Sequence, residues 1–202
     1  LLKYLAGEGI TSELKPGQIR CERFADGAKL LCARSPHITM GNLYCVENSL
    51  EGAIWNYFDL GENIVCVNAI GENIQQRLNG CDYDSDTMLI TDDALLVNAA
   101  ERYKELFKVP VCNIHADIKQ EQTLAALDHD TSVNKIGEIV NLSQKLNSIL
   151  WDALYHGANK ESVAAIYEDI CKLAVLSGLE IDKAKRAFSD VRVGRELYAF
   201  RQ

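Results

Sequence analysis

The run Asn79-Gly80-Cys81-Asp82-Tyr83-Asp84-Ser85-Asp86, followed closely by Met88-Leu89-Ile90, is the most informative stretch of the sequence. Aspartates at alternate positions share one face of an extended segment, and they converge if the segment forms a tight loop. Gly80 permits backbone conformations that such a loop requires. The apolar residues that follow are typical of a buried strand. The sequence therefore predicts a loop of carboxylates at the start of a strand.

The charges of this loop require compensation. At a separation of about 4 Å and an effective dielectric constant near 20, each pair of like charges costs about 4 kcal/mol. Such a cluster persists if a cation neutralises it, if a carboxyl is protonated, or if the side chains splay into solvent. Oxygen ligands without His or Cys favour Mg²⁺, Mn²⁺ or Ca²⁺ over zinc. The residues alone leave two interpretations open, a divalent-metal site formed by Asp82, Asp84 and Asp86, and a plain acidic surface loop.

A calcium loop of the EF-hand type is a weaker alternative. The alternating aspartates match the opening of that pattern, but Thr87 stands where the pattern requires Gly and Asp93 where it requires Glu. The flanking residues also predict a loop and a strand, whereas an EF-hand needs two helices.

Composition limits the class of protein. The 202 residues are 48% hydrophobic and 25% charged, which is ordinary for globular domains. The net charge of −8 argues against a self-sufficient nucleic-acid binder, because phosphate backbones attract basic surfaces. Seven cysteines without a Cys-x-x-Cys pair argue against a zinc ribbon and favour a reducing cytoplasm. No apolar run reaches roughly 18 residues, so we expect no membrane-spanning helix.

The hydrophobic pattern divides the chain into a β-rich domain over residues 1–115 and a helical domain over 116–202, an α+β fold. In the first domain, a helix is predicted from Asp92 to about Phe107. In the second, apolar stripes predict helices over Ser132–Tyr155, Ser162–Leu176 and Asp182–Phe188. The candidate strands are short, apolar and bounded by turn residues: Ile19–Phe24, Lys29–Ala33, Asn42–Val46, Asn63–Val67, Thr87–Thr91 and Val109–Ile114.

A second motif lies upstream of the aspartates, Arg34-Ser35-Pro36. With the acidic run it resembles the active-site barrel of the double-psi β-barrel RNA polymerases. These include the β′ subunit of multisubunit polymerases, the silencing-type RNA-dependent RNA polymerases and their single-chain phage relatives. In that family an Arg-x-Pro element precedes an Asp-x-Asp-Gly-Asp element by several tens of residues. Two segments of the helical half, 134–141 and 173–185, resemble later segments of the silencing-type enzymes.

The resemblance implies a double-psi β-barrel-like domain with a role in transcription. It implies that Asp82, Asp84 and Asp86 are catalytic and hold Mg²⁺, or Mn²⁺ in its place, to activate the 3′-hydroxyl of a growing RNA. A second Mg²⁺ arrives with the nucleoside triphosphate in such two-metal reactions. Arg34 would bind the ribose or phosphate of that substrate, although a structural salt bridge is an equally open role for it. The implied partners are nucleoside triphosphates, the RNA product and a nucleic-acid template, with no membrane.

Two departures from the family pattern restrict this interpretation. Ser85 stands where the family has Gly, and a positive φ there would strain the serine backbone. The family also needs a second barrel carrying lysines, for which these residues have no room. The sequence also lacks an initial Met, so we expect it to be the metal-binding part of a longer protein or complex. The second barrel would lie in the same longer chain or in a partner. We expect no catalysis by this chain alone. The alternatives are a non-catalytic barrel fragment that acts as a binding or structural module, and an unrelated metal-dependent nuclease or phosphotransferase.

Overall fold

The computed structural model describes residues 5–9, 12–104, 107–110, 123–183 and 193–200. These residues combine helices and strands, which confirms the α+β class predicted from the sequence. The chain separates into two compact units, Leu1–Ser35 with Met40–Lys108, and Pro36–Thr39 with Val109–Gln202. The predicted boundary between residues 115 and 116 lies outside the described residues and stays a prediction.

The first unit is built on a five-stranded sheet that curls into half of a barrel. The strands follow the order β4-β1-β3-β2-β5. Strands β1 and β3 run parallel, and the other neighbouring pairs are antiparallel. The strand bounds are β1 (Gln18–Cys21), β2 (Lys29–Ala33), β3 (Tyr44–Asn48), β4 (Val65–Val67) and β5 (Leu89–Thr91).

Both faces of the sheet are covered, as strand β2 illustrates. Its side chains alternate between faces because successive residues of a strand point in opposite directions. Leu30 and Cys32 lie in the larger apolar cluster, which has members or packed neighbours from all five strands. Leu31 packs on the other side with Val97 and Ala100 of helix α2 (Ala94–Tyr103). Asp93 caps that helix, one residue after the predicted start at Asp92, since its carboxylate accepts a hydrogen bond from the Leu96 N–H at 3.0 Å. The helix ends at Tyr103, before the predicted end near Phe107.

A short helix, α1 (Ile74–Arg77), completes the larger cluster and was not predicted. Ile74 and Leu78 are buried there. Asn73 caps the helix, because its side-chain oxygen accepts the Gln76 N–H at 3.1 Å. One turn is too short to produce a helical period in the sequence, so only the cap could have indicated it.

The second unit is helical, and its two long helices pack along each other. Its helices are α3 (Leu124–Ser132), α4 (Ile136–Tyr155), α5 (Lys160–Asp182) and α6 (Val193–Ala199). Ile139 and Leu150 of α4 are buried, as are Ile170 and Leu173 of α5. Among the described residues, no helix is both long enough and apolar enough to cross a bilayer.

Several predicted bounds need correction. Strand β2 has its predicted limits, whereas β3 begins two residues later than expected, at Tyr44. Helix α5 does not end at the predicted Leu176 but continues through Gly178 to Asp182. Leu176 and Leu179 are buried on either side of the glycine, and this packing outweighs the cost of about 1 kcal/mol for Gly inside a helix. Residues 111–114 and 184–188 of the predicted last strand and last helix lie outside the described residues.

Glu180 ties the two long helices together. Its side chain is 3% exposed, and its Oε1 accepts the backbone N–H of Lys135, just before α4, at 3.0 Å. We expect Glu180→Ala to lower the free energy of unfolding by about 2 kcal/mol, because a partly buried backbone donor at a helix start loses a charged acceptor. Urea unfolding followed by circular dichroism measures this. Glu168→Ala, on the same helix, removes an exposed pair with Lys172 and should cost less than about 1 kcal/mol. Equal losses of stability in Glu180→Ala and Glu168→Ala would contradict the role of Glu180 in joining the two helices.

Candidate metal centre

The acidic loop begins where helix α1 is forced to end. Asn79 and Gly80 have φ angles of 60° and 71°, a region that stops a right-handed helix and suits Asn and Gly. The N–H groups of Gly80 and Cys81 both donate to the Gln75 carbonyl, at 2.7 and 3.1 Å. These bonds satisfy the helix end and direct the chain out of the helix into the loop.

Cys81 anchors the start of the loop. Its side chain is buried in the larger apolar cluster of the first unit. Burial raises the pKa of its thiol, while the nearby Arg34 guanidinium acts in the opposite direction. Because the anchoring residue is fixed in the core, the following aspartates start from a defined position at its edge.

Arg34 holds the loop at both ends. Its Nη2 lies 2.9 Å from Asp86 Oδ2, and its Nη1 donates to the Asn79 carbonyl at 3.0 Å. The Asp82 backbone N–H donates to the same Asp86 oxygen at 2.6 Å. The side chains of Arg34 and Asp86 are only 14% and 28% exposed, so this ion pair is partly shielded from water. The guanidinium thus closes the loop into a compact turn.

The structure brings Arg34, Asp82 and Asp86 to one place but does not gather all three carboxylates. Asp84 is exposed in the middle of the loop. In the part of the chain that the structure describes, no three His, Cys, Asp or Glu side chains are grouped closely enough to hold a metal ion. The donor chemistry nevertheless suits Mg²⁺, since the loop offers hard carboxylate oxygens at its surface. These residues therefore fit the ion by donor type, and their grouping in this structure is incomplete.

Ser85 has a positive φ angle, the conformation expected from its place where the polymerase pattern has Gly. Its φ is 146°, in a region that is populated almost only by glycine. Asn79 is the other non-glycine residue with a positive φ among those described, and its value of 60° is one that asparagine tolerates. The loop therefore stores strain at Ser85, between the second and third aspartates.

Relief of the strain at Ser85 should raise the free energy of unfolding. We expect Ser85→Gly to raise the free energy of unfolding by about 1 kcal/mol, because glycine adopts this φ without steric cost. Ser35→Gly is the matched control, since Ser35 is exposed and lacks a positive φ. It should lower stability slightly through the greater freedom of the unfolded chain. Thermal unfolding of both variants gives the comparison, and destabilisation by both would refute the strain.

A cavity of about 550 Å³ opens beside the loop. Strand β4 lines one side of it, and the segment that leads into β5 lines the other. Its walls are mostly apolar, and Arg34, Asp82 and Asp86 border it. Sequence reasoning missed the β4 side chains because nothing in a short apolar strand indicates which cavity it borders. It also missed the Asn79 carbonyl, although the Asn-Gly pair is a recognisable turn signal.

The arrangement offers a carboxylate loop, a guanidinium that bridges its ends, and an apolar cavity alongside. Such a combination can hold a divalent cation or a small ligand with both apolar and polar groups. No protein-family model, curated protein or solved structure matches this chain.

Proposed function

We propose that this chain is the metal-binding catalytic barrel of a nucleotidyltransferase that polymerises RNA from nucleoside triphosphates on a nucleic-acid template. Within this proposal, the curled sheet of the first unit belongs to a double-psi β-barrel. The parallel pairing of β1 with β3 inside an otherwise antiparallel sheet is compatible with such a crossed topology. The proposed role is transcription, as the resemblance implies, and the proposed compartment is the cytoplasm, which the unpaired pattern of cysteines favours.

One observation carries the proposal. The family pattern pairs an Arg-x-Pro element with the aspartate element, and Arg34 is in contact with both ends of the aspartate loop. Asn79 and Arg34 are 45 residues apart in the chain. Two motifs that belong to one active site must meet in the fold, and these two meet because Arg34 follows β2 while the loop precedes β5, the antiparallel neighbour of β2. The contact therefore supports a common site.

The residues would share the work as follows. Asp82, Asp84 and Asp86 would hold Mg²⁺, or Mn²⁺ in its place, which when bound supplies activation of a hydroxyl nucleophile and charge neutralisation at phosphate oxygens. The Arg34 guanidinium would orient the substrate through its planar fork of donors, which matches ribose and phosphate oxygens. Lysines that bind the triphosphate would come from a second barrel, in the same longer chain or in a partner. Basic surfaces of that second barrel would bind the nucleic-acid backbone, which the net negative charge of this chain disfavours.

A second candidate function is a non-catalytic barrel that serves as a binding or structural module. The incomplete grouping of the three carboxylates in the described residues favours this candidate. The two candidate functions predict different metal affinities. A catalytic site requires a bound cation, whereas a structural module does not.

Titration of the chain with Mn²⁺, followed by the loss of the free-ion electron paramagnetic resonance signal, tests the proposal. We expect one Mn²⁺ site, which Mg²⁺ displaces and which is lost when Asp82, Asp84 and Asp86 are all replaced by Asn. The matched control replaces the exposed Asp59 and Asp92 and should leave binding unchanged. A wild-type chain that binds no Mn²⁺ would favour the non-catalytic module.

A further inference from the structure

The connection from β3 to β4, residues 49–64, forms an aromatic loop on the first unit. It contains a short 3₁₀ helix, Ala53–Tyr57. The Trp55 indole anchors this loop, because the Arg20 guanidinium of strand β1 lies over its ring, 5.0 Å from the centroid. The indole also packs on Gly52, where an added Cβ would stand 2.7 Å from Trp55 Nε1. Trp55 therefore fixes the middle of the loop to the sheet.

Two further contacts fix the start of the aromatic loop. Arg20 Nη1 donates to the Leu50 carbonyl at 2.6 Å, and the Leu50 N–H donates to Asp26 Oδ1 at 2.7 Å. At its other end the loop enters β4, which pairs with β1. The loop is therefore ordered before a partner arrives, which lowers the entropy that binding costs.

The two aromatic side chains that follow in this ordered loop remain mostly in water. Tyr57 is 84% exposed and Phe58 is 54% exposed. Large aromatic side chains dominate the energetics of cores and interfaces when they are buried, and they are enriched where proteins contact each other. Two adjacent aromatic side chains on a pre-ordered surface therefore indicate a contact surface.

The charge of the aromatic loop specifies the partner. Glu51, Asp59 and Glu62 are all exposed, and residues 49–64 include no Lys, Arg or His. Carboxylates beside aromatic rings attract guanidinium and ammonium groups, through charge and through the cation–π contact. The same carboxylates repel phosphate backbones and anionic lipid surfaces. Charge complementarity therefore favours a basic protein segment over a nucleic acid or a membrane.

We propose that the aromatic loop is a docking surface for a basic segment of a partner protein. Arg or Lys side chains of the partner would lie on the Tyr57 and Phe58 rings, between the exposed carboxylates. Arginine suits this surface best, because its planar guanidinium stacks on aromatic rings and pairs with carboxylates. Arg20 on Trp55 is the same kind of contact within the chain. The inference is independent of the proposed function, since it uses no residue of the aspartate loop.

Fluorescein-labelled octa-arginine, at physiological salt, is the probe for this surface. We expect Tyr57→Ala combined with Phe58→Ala to weaken its binding about fivefold or more, because two cation–π contacts are lost. Leu95→Ala combined with Leu96→Ala is the matched control, since these side chains of helix α2 are 79% and 51% exposed. The control should leave the affinity unchanged. Both double variants keep the net charge, so equal affinities of the two would overturn the inference.

A second pair of variants tests the carboxylates. We expect Asp59→Asn combined with Glu62→Gln to weaken octa-arginine binding about threefold, by an amount that shrinks as salt is raised. Asp92→Asn combined with Glu168→Gln removes the same number of exposed charges elsewhere and should have a smaller effect. Equal weakening by the two pairs would mean that the peptide follows net charge alone, which would overturn the inference.

The wild-type chain provides a test that needs no substitution. On addition of octa-arginine, the backbone amide resonances of residues 55–64 should shift more than those of the remaining first unit. Shifts spread evenly over the unit would overturn the inference, as would equal shifts with octa-glutamate or a single-stranded oligonucleotide. Self-association of the wild type that Tyr57→Ala with Phe58→Ala abolishes, measured by sedimentation, would also overturn it and make the loop an interface between copies of the chain. The Mn²⁺ titration of the proposed function is unaffected by each of these outcomes.

Discussion

Replacement of Asp84 by Asn is expected to weaken Mn²⁺ binding by about tenfold or more and to reduce nucleotide incorporation by about 10³-fold. Asp84 lies at the centre of the loop and is exposed. Its carboxylate therefore contributes little to the fold, and its main effect is on the charge available to a cation. Asparagine keeps the size and polarity of the side chain but removes one of three negative charges, which lowers the attraction for a hard divalent ion.

Two measurements separate the effects on binding and on catalysis. The Mn²⁺ affinity is measured on the chain alone. Incorporation of labelled nucleoside triphosphates is measured in the presence of the second, lysine-bearing barrel that the proposed function requires. Asp92→Asn serves as the matched control, because Asp92 is an exposed carboxylate six residues beyond the loop and should change neither quantity. Incorporation that survives the loss of Asp84 would disprove its catalytic role.

Replacement of Asn48 by Ala is expected to lower the free energy of unfolding of the first unit by about 3 to 4 kcal/mol. Asn48 ends strand β3 and is fully buried. Its side-chain oxygen accepts the Cys21 N–H at 2.9 Å. Its amide group donates to the carbonyls of Cys21, Phe24 and Ala25 at 3.1, 2.8 and 3.1 Å. Alanine would leave these backbone groups of the turn between β1 and β2 without partners, and unsatisfied buried groups cost about 1 to 3 kcal/mol each.

The effect of Asn48→Ala belongs to the first unit, so a probe within that unit must report it. Hydrogen exchange of the β1 and β3 amides, combined with urea unfolding, provides the measurement. Asn98→Ala is the matched control, because Asn98 is exposed on helix α2, where alanine has the higher helix propensity. We expect that variant to be as stable as the wild type or slightly more so. A loss below about 1 kcal/mol for Asn48→Ala would show that the turn does not depend on this side chain.

The α+β class and many of the elements could be predicted because local burial leaves a periodic pattern in the sequence. Strand β2 has the predicted limits since its apolar residues are bounded by turn residues on both sides. The start of α2 was predictable because Asp93 is an N-cap residue that directly precedes an apolar helix. Helix α1 was missed because it is a single turn, and the end of α5 because burial of its neighbours holds Gly178 inside the helix.

In the candidate site, too, some features follow from residue order and others depend on the fold. The sequence by itself determined a loop of three aspartates at the entrance to a strand, an upstream arginine, and a serine where strain is expected, because these depend on residue type and order alone. Only the tertiary structure decided that Arg34 closes the loop and that Asp86 is its partner. The physical reason is that Arg34 follows β2 and Asp86 precedes β5, and these strands, distant in sequence, pair with Ala33 opposite Leu89. The pattern of a single strand does not record which other strand it pairs with.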